Sequence, residues 1–186
     1  MSAVVRRPEP IPVPHLEITR MRRRHLRKIL SIESRVYPRP WSASLFLSEM
    51  SQKNSRSYIV ARYDGEVVGY AGMMFSGFDA HVTNIAVDPD FHGRKVGTRL
   101  LVTLITEAIA RRAEVISLEV RVTNHVAQTM YAKFGFHVAG LRKGYYIETR
   151  EDALVMEVDD ALSTDYRLRL QSIRAELESD GEGGRA

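Results

Sequence analysis

The chain has 186 residues, 44% of them hydrophobic and 27% charged, a balance that fits one soluble globular domain with tails. It contains no cysteine, which excludes disulfides, thiolate metal sites and a cysteine acyl-enzyme. The formal charge of +4 is uneven: residues 1–35 carry nine Arg/Lys against three Asp/Glu, so the remainder is net negative, and the basic start reads as a solvated arm and helix face rather than an RNA-reading surface.

No apolar run approaches the roughly 20 residues that span a bilayer, and the N-terminus lacks an apolar signal core, so no membrane partner and a cytoplasmic location are expected. Prolines at 8, 10, 12 and 14 mark residues 1–14 as a flexible extended arm outside the fold. Leu16 to Met21 is a first strand, and Leu26, Ile29 and Leu30 recur at helical spacing. Pro38 and Pro40 break the chain before Trp41. Ser42 then caps a helix from Ala43 to Met50, with Leu45, Phe46 and Met50 as its apolar face.

Ser57 to Tyr63 and Val67 to Phe75 read as strands joined at Asp64-Gly65, a hairpin signal, and Asp79 to Val87 is a third strand ending at Asp88-Pro89-Asp90. The clearest helix follows, with Gly97, Leu100, Leu101, Leu104, Ile105 and Ala108 on one face. Val115 to Val122 is a strand, Asn124 to Lys133 a short helix capped by Asn124, and Phe136 to Tyr146 and Ala153 to Val158 are the last two strands. Hairpins and crossover helices together predict an α/β domain over residues 15–160, with a mixed, mostly antiparallel sheet of six or seven strands flanked by about four helices. In residues 161–186, Leu162, Tyr166, Leu170, Ile173 and Leu177 mark an appended amphipathic helix before a disordered Gly/Glu-rich tail; its spacing leaves open whether it packs on the domain or on a second copy.

Chemistry concentrates where the third strand meets the strongest helix. His92, Gly93, Arg94, Lys95, Val96, Gly97 and Thr98 form a turn with two glycines and two cations at a helix start, whose exposed amides and positive dipole end suit a pyrophosphate. A structural turn without a ligand is the competing reading. Neither a Walker A loop nor a GxGxxG dinucleotide pattern is present. On the strand Val115 to Val122, Ile116, Leu118 and Val120 share one face, while Ser117, Glu119 and Arg121 share the other. Read alone, Glu119 is a solvated or ion-paired carboxylate and Tyr131 a core residue.

The turn after Val87-Asp88-Pro89 resembles the acetyl-CoA signature of the GNAT superfamily, with His92 where Gln or Arg is usual and Lys95 where the first glycine is usual. Leu118-Glu119-Val120-Arg121-Val122-Thr123-Asn124, Ala127, Tyr131 and Phe134-Gly135-Phe136 resemble the RimI branch, which acetylates protein N-termini; the likeness runs from Leu16 to Val158 and includes Pro40-Trp41-Ser42 and Tyr145-Tyr146. The resemblance implies a GNAT fold, acetyl-CoA as cosubstrate without a metal, Glu119 as general base, Tyr131 as general acid and Asn124 as a CoA contact. It also implies a protein N-terminus as partner, with a ribosomal protein beginning in alanine as the expected acceptor.

The chemistry is consistent with those roles. A protein α-amino group has a pKa near ~8, so a base must free it before it attacks a thioester. Glu119, its pKa raised by partial desolvation, is expected to do so. Direct attack in a ternary complex follows most simply from the absence of cysteine. The oxyanion donor is expected among the N–H groups of Ile85, Ala86 and Val87. Trp41, Tyr145 and Tyr146 are expected to line the acceptor groove, edge packing being the alternative. Action on a small amine or an internal lysine, and a silent CoA- or RNA-binding module, stand as rival functions.

Overall fold

The computed structural model describes residues 16–182; the Pro-rich arm and the last four residues of the tail lie outside the described residues. In chain order the elements are β1 (Leu16–Arg20), α1 (Leu26–Val36), α2 (Ala43–Ser51), β2 (Arg56–Tyr63), β3 (Glu66–Ser76), β4 (Asp79–Val87), α3 (Val96–Ala110), β5 (Val115–Arg121), α4 (His125–Lys133), β6 (His137–Tyr146), β7 (Glu151–Val158) and α5 (Thr164–Glu182). Short 3-10 turns precede α1 at Arg23–His25 and follow β4 at Pro89–Phe91. The seven strands form one sheet in the order β1-β2-β3-β4-β5-β7-β6, antiparallel everywhere except between β4 and β5.

Local chemistry accounts for the joints. Asp64 and Gly65 both take positive φ, as a two-residue hairpin turn requires, and pair Tyr63 with Glu66. Ser42 caps α2 by accepting the Leu45 N–H at 3.2 Å, and Asn124 caps α4 by accepting that of Ala127 at 3.1 Å. On α2 only Phe46 of the predicted apolar face is buried; Leu45 is 40% exposed, because so short a helix turns one side chain fully into the core.

Alternation along the sheet feeds two cores. Ile59, Ala71 and Met73 join α3's Leu100, Leu101, Leu104 and Ile105 on one side, while Tyr58, Val60 and Tyr70 join Ile29, Ile32 and Phe46 on the other. α5 completes the first core with Tyr166, Leu170, Ile173 and Leu177, so the open question about this helix resolves in favour of its own domain. No helix among the described residues is long and apolar enough to cross a membrane.

Two irregularities in β4 set the shape of the sheet's central opening. Gly72 faces Asn84 while Met73 faces Val82, which leaves Thr83 as an extra residue. A Cβ on Gly72 would meet the Tyr58 ring at 2.2 Å, so glycine is what lets that ring cross β3. Pairing with β5 covers only Asp79 to Val82 against Val115 to Leu118; beyond it β5 stays with β7, and the two strands part.

Candidate active site

The parted strands open a cavity of about 690 Å³. In an antiparallel strand successive residues direct their backbone groups to opposite neighbours. Asp88 N–H reaches the Val68 carbonyl at 2.8 Å across β3, so Ala86 also points to β3, whereas Ile85 and Val87 point into the opening. Their carbonyls confirm the direction: that of Ile85 accepts from the Tyr37 hydroxyl at 2.9 Å, and that of Val87 lies 2.9 Å from His92 Nε2. The expected donors Ile85, Ala86 and Val87 thus divide. Ala86 lines the cavity but spends its amide within the sheet, while Ile85 and Val87 aim theirs outward.

At the wide end lies the start of α3. Lys95 occupies its N-cap in the left-handed conformation, φ 59°, with no side-chain cap, so the first-turn amides of Val96, Gly97 and Thr98 have no intrahelical partner. Lys95 therefore takes up the geometry that a glycine would adopt most cheaply. A Cβ on Gly97 would meet only Met130 and Val87 at an ordinary 3.7 Å, so interior packing does not demand glycine there, and the bare backbone is left for what enters from outside. Such a cradle of amides at a dipole's positive end fits a diphosphate. Gly93, Lys95, Val96, Gly97 and Thr98 all line the cavity. Arg94 lies outside that lining, its guanidinium 5.3 Å from the Phe91 ring centroid. His92 lines the cavity with its ring held on Val87, and its own N–H is bound to the Pro89 carbonyl.

The opposite wall carries Glu119, whose side chain is 9% exposed. His81 Nε2 lies 2.9 Å from one carboxylate oxygen and Arg142 3.3 Å from the other; the second imidazole nitrogen sits 2.9 Å from Ser117 Oγ. The hydrogen bond from His81 outweighs desolvation, and with Arg142 it holds the Glu119 carboxyl below the ordinary carboxylate value. The raised pKa expected from burial is therefore wrong, because burial here comes with a hydrogen-bonded imidazole and a guanidinium. Tyr131, on α4, is 5% exposed, its ring tilted at 58° against Phe136 with the centroids 5.9 Å apart; burial pushes its hydroxyl well above the ordinary phenol value, so it is a neutral donor. Asn124 lines the cavity, but its side-chain carbonyl is committed to capping α4.

Trp41, Tyr145 and Tyr146 line the outer part. The two tyrosines meet edge to face at 5.1 Å, and Arg121 stacks 3.8 Å from the Tyr146 centroid. Arg39, before α2, pairs with Glu148, between β6 and β7, at 3.2 Å and so links the two lips. Three contributors escaped the sequence reading. His81 is one. Tyr37, half-buried in the opening, is the second. Glu33 is the third: it is 1% exposed, accepts the Trp41 N–H at 2.9 Å and a hydrogen from Tyr70, and burial pushes its carboxyl up to about 7 against the pull of the Trp41 amide. It fell on the apolar stripe of α1, i+7 from Leu26 and i+4 from Ile29, where a carboxylate is itself a signal.

A sheet that parts beside its one parallel pair, with outward strand amides leading to an uncapped helix start, defines a class of proteins built to seat a diphosphate-bearing ligand along that edge. The sequence pattern of the acetyltransferase (GNAT) family matches residues 26–136. The chain belongs to that family and is an acetyl-CoA-dependent N-acetyltransferase. It is 39% identical over 144 residues to a Bacillus subtilis (strain 168) protein named as a candidate [ribosomal protein bS18]-alanine N-acetyltransferase, covering 76% of this chain and 93% of that one. The [ribosomal protein bS18]-alanine N-acetyltransferase of Escherichia coli (strain K12) is 35% identical over 127 residues, covering 67% of this chain and 84% of that one. The crystal structure of the ribosomal-protein-S18-alanine N-acetyltransferase from Escherichia coli superposes with a TM-score of 0.72 at 31% identity, over 80% of this chain and 96% of that one.

Proposed function

We propose that this enzyme transfers the acetyl group to the N-terminal α-amino group of a protein, a ribosomal protein beginning with alanine, by direct attack in a ternary complex. The observation that carries the reading is that Glu119 is held charged on the wall opposite the outward amides of Ile85 and Val87. Glu119 takes a proton from the α-ammonium group, and the freed nitrogen forms a C–N bond to the thioester carbonyl. The oxyanion is met by the N–H of Ile85 or Val87. On collapse the C–S bond breaks, the thiolate takes the Tyr131 hydroxyl proton, and the second proton, shed by the nitrogen as it becomes an amide, restores the Tyr131 hydroxyl. His81, its side chain 26% exposed, relays the proton from Glu119 outward. Asn124, Val96, Gly97 and Thr98 hold the nucleotide, and Trp41, Tyr145 and Tyr146 hold the acceptor.

The depressed Glu119 pKa also bears on the acceptor. A weak base strips an α-ammonium group, with a reference pKa near ~8, far more readily than a lysine, near ~10.4. The relatives named for alanine N-acetylation point the same way.

Incubation with acetyl-CoA and an alanine-starting peptide, its N-blocked lysine analogue and a polyamine is expected to label the first alone; label on either of the others moves the acceptor to an internal lysine or a small amine. Glu119→Gln and Tyr131→Phe are each expected to lower kcat about 10²-fold or more while acetyl-CoA still binds. Unchanged turnover in both would remove these residues from the chemistry.

A further inference from the structure

A second hollow, of about 290 Å³, lies between the start of α1 and the β2–β3 hairpin, and half of its lining residues are cations. Arg24, Arg27, Lys28 and Arg62 line it together with His25, which is only 6% exposed; Glu66 is the sole carboxylate among its lining residues. Lys28 reaches Asp88 at 3.2 Å and Arg62 reaches Glu17 at 3.3 Å, whereas Arg24 and Arg27 form no ion pair among the described residues.

The hydrogen bonds of His25 do not close. Its Nδ1 accepts from the Arg22 backbone N–H at 3.1 Å, so the neutral ring carries its proton on Nε2. That nitrogen faces Arg24 Nε at 3.3 Å, and a guanidinium has only hydrogens to offer. Two donors point at each other beside an open hollow, which leaves a buried donor without an acceptor. One oxyanion in the hollow would accept from both. Burial first, then the charges of Arg24, Arg62 and Arg22, push the imidazole below its ordinary value, which keeps the ring neutral until an anion arrives.

We infer that this hollow is a phosphate-binding site, separate from the acetyl-CoA cavity, in which an oxyanion bridges His25 Nε2 and the Arg24 guanidinium with Arg27 beside it. Forked guanidinium donors match a tetrahedral phosphate, and the exposed Arg20, Arg22 and Arg23 extend the positive field beyond the hollow, so a phosphate within a nucleic-acid backbone fits as well as a free one.

The full chain is titrated with inorganic phosphate, against chloride at matched ionic strength, while the His25 side-chain NMR resonances are followed. A saturable shift is expected, together with a rise in the His25 pKa, since an anion on Nε2–H favours the charged ring. Arg24→Ala and Arg27→Ala are each expected to weaken phosphate binding about tenfold, the loss of a charge-assisted hydrogen bond, with acetyl transfer unaltered because neither lines the catalytic cavity. A short oligouridine titrated in parallel separates the sources. Saturation at lower phosphate-equivalent concentration, fading steeply with salt, assigns the site to a nucleic-acid backbone; a response to free phosphate alone assigns it to a small phosphorylated ligand. His25 resonances that respond to both probes no more than to chloride overturn the inference, as does phosphate affinity untouched by both substitutions.

Discussion

At Glu119 two effects oppose each other on one carboxyl: burial raises its pKa, and the hydrogen bond from His81, with Arg142 behind it, lowers it by more. The groups facing it are the His81 imidazole and the Arg142 guanidinium, with the Tyr145 phenol nearby. A base must be deprotonated to act, so a depressed pKa extends activity to lower pH, and the same pairing stabilises the fold above the ordinary carboxylate value and is lost as pH falls through the lower one. Replacing His81 by Ala leaves desolvation opposed chiefly by Arg142, so the acid limb of kcat/KM for an alanine-starting peptide is expected to move to higher pH, with His81→Gln between the two. A limb that stays in place would mean that the imidazole does not act on this carboxylate. Glu119 was legible because strand alternation sets it opposite Ile116, Leu118 and Val120. His81 was not. Counting back from Ile85 in steps of two puts it on the apolar face, and only the extra residue Thr83 moves it to the other side, a bulge fixed by how β3 pairs rather than by β4 itself.

Helices differ in what their periodicity can say. α3 announces both its extent and its buried face, and the structure buries Leu100, Leu101, Leu104 and Ile105 completely. α5 shows an equally regular stripe, yet a stripe states that one side is covered without stating by what. The cover is the domain itself: Arg99 donates to the Leu177 carbonyl at 2.6 Å, Lys133 pairs with Glu176, and Tyr166 lies 3.4 Å from where a Cβ on Gly135 would stand. Since the stripe is continuous with the main core, α5 belongs to the cooperative unit. Leu170→Ala is therefore expected to cost about 2–5 kcal/mol and to lower the urea midpoint in a single transition, with turnover intact below it. A separate early transition would show α5 to be an independent appendage. The uncapped start of α3 was legible from the glycine-bearing turn before it, whereas the packing of the Arg94 guanidinium on the Phe91 ring was not, because it depends on an aromatic face that only the folded turn brings close.

Across the whole molecule, the sheet is continuous from β1 to β6 in hydrogen-bonding order but is joined at its centre by only four residue pairs between β4 and β5. Nothing local in either strand announces that parting, since both read as ordinary strands and the divergence depends on β5 staying with β7. Its consequence is that one stretch of β4 has backbone groups satisfied on one edge and held open on the other. If acetyl-CoA fills the opening, hydrogen exchange resolves the two edges. Without ligand, the amide of Ala86, directed to β3, is expected to exchange slowly, and those of Ile85 and Val87 faster. Binding raises global stability by about 2.7 kcal/mol at 100 times Kd, which slows every amide that exchanges through global unfolding. The diagnostic is therefore the excess: Ile85 and Val87 are expected to gain protection beyond that shared increment, and Ala86 none. Equal gains at all three positions, with acetyl-CoA bound, would place the ligand away from the open edge of β4 and remove these amides as the site where the developing oxyanion is met.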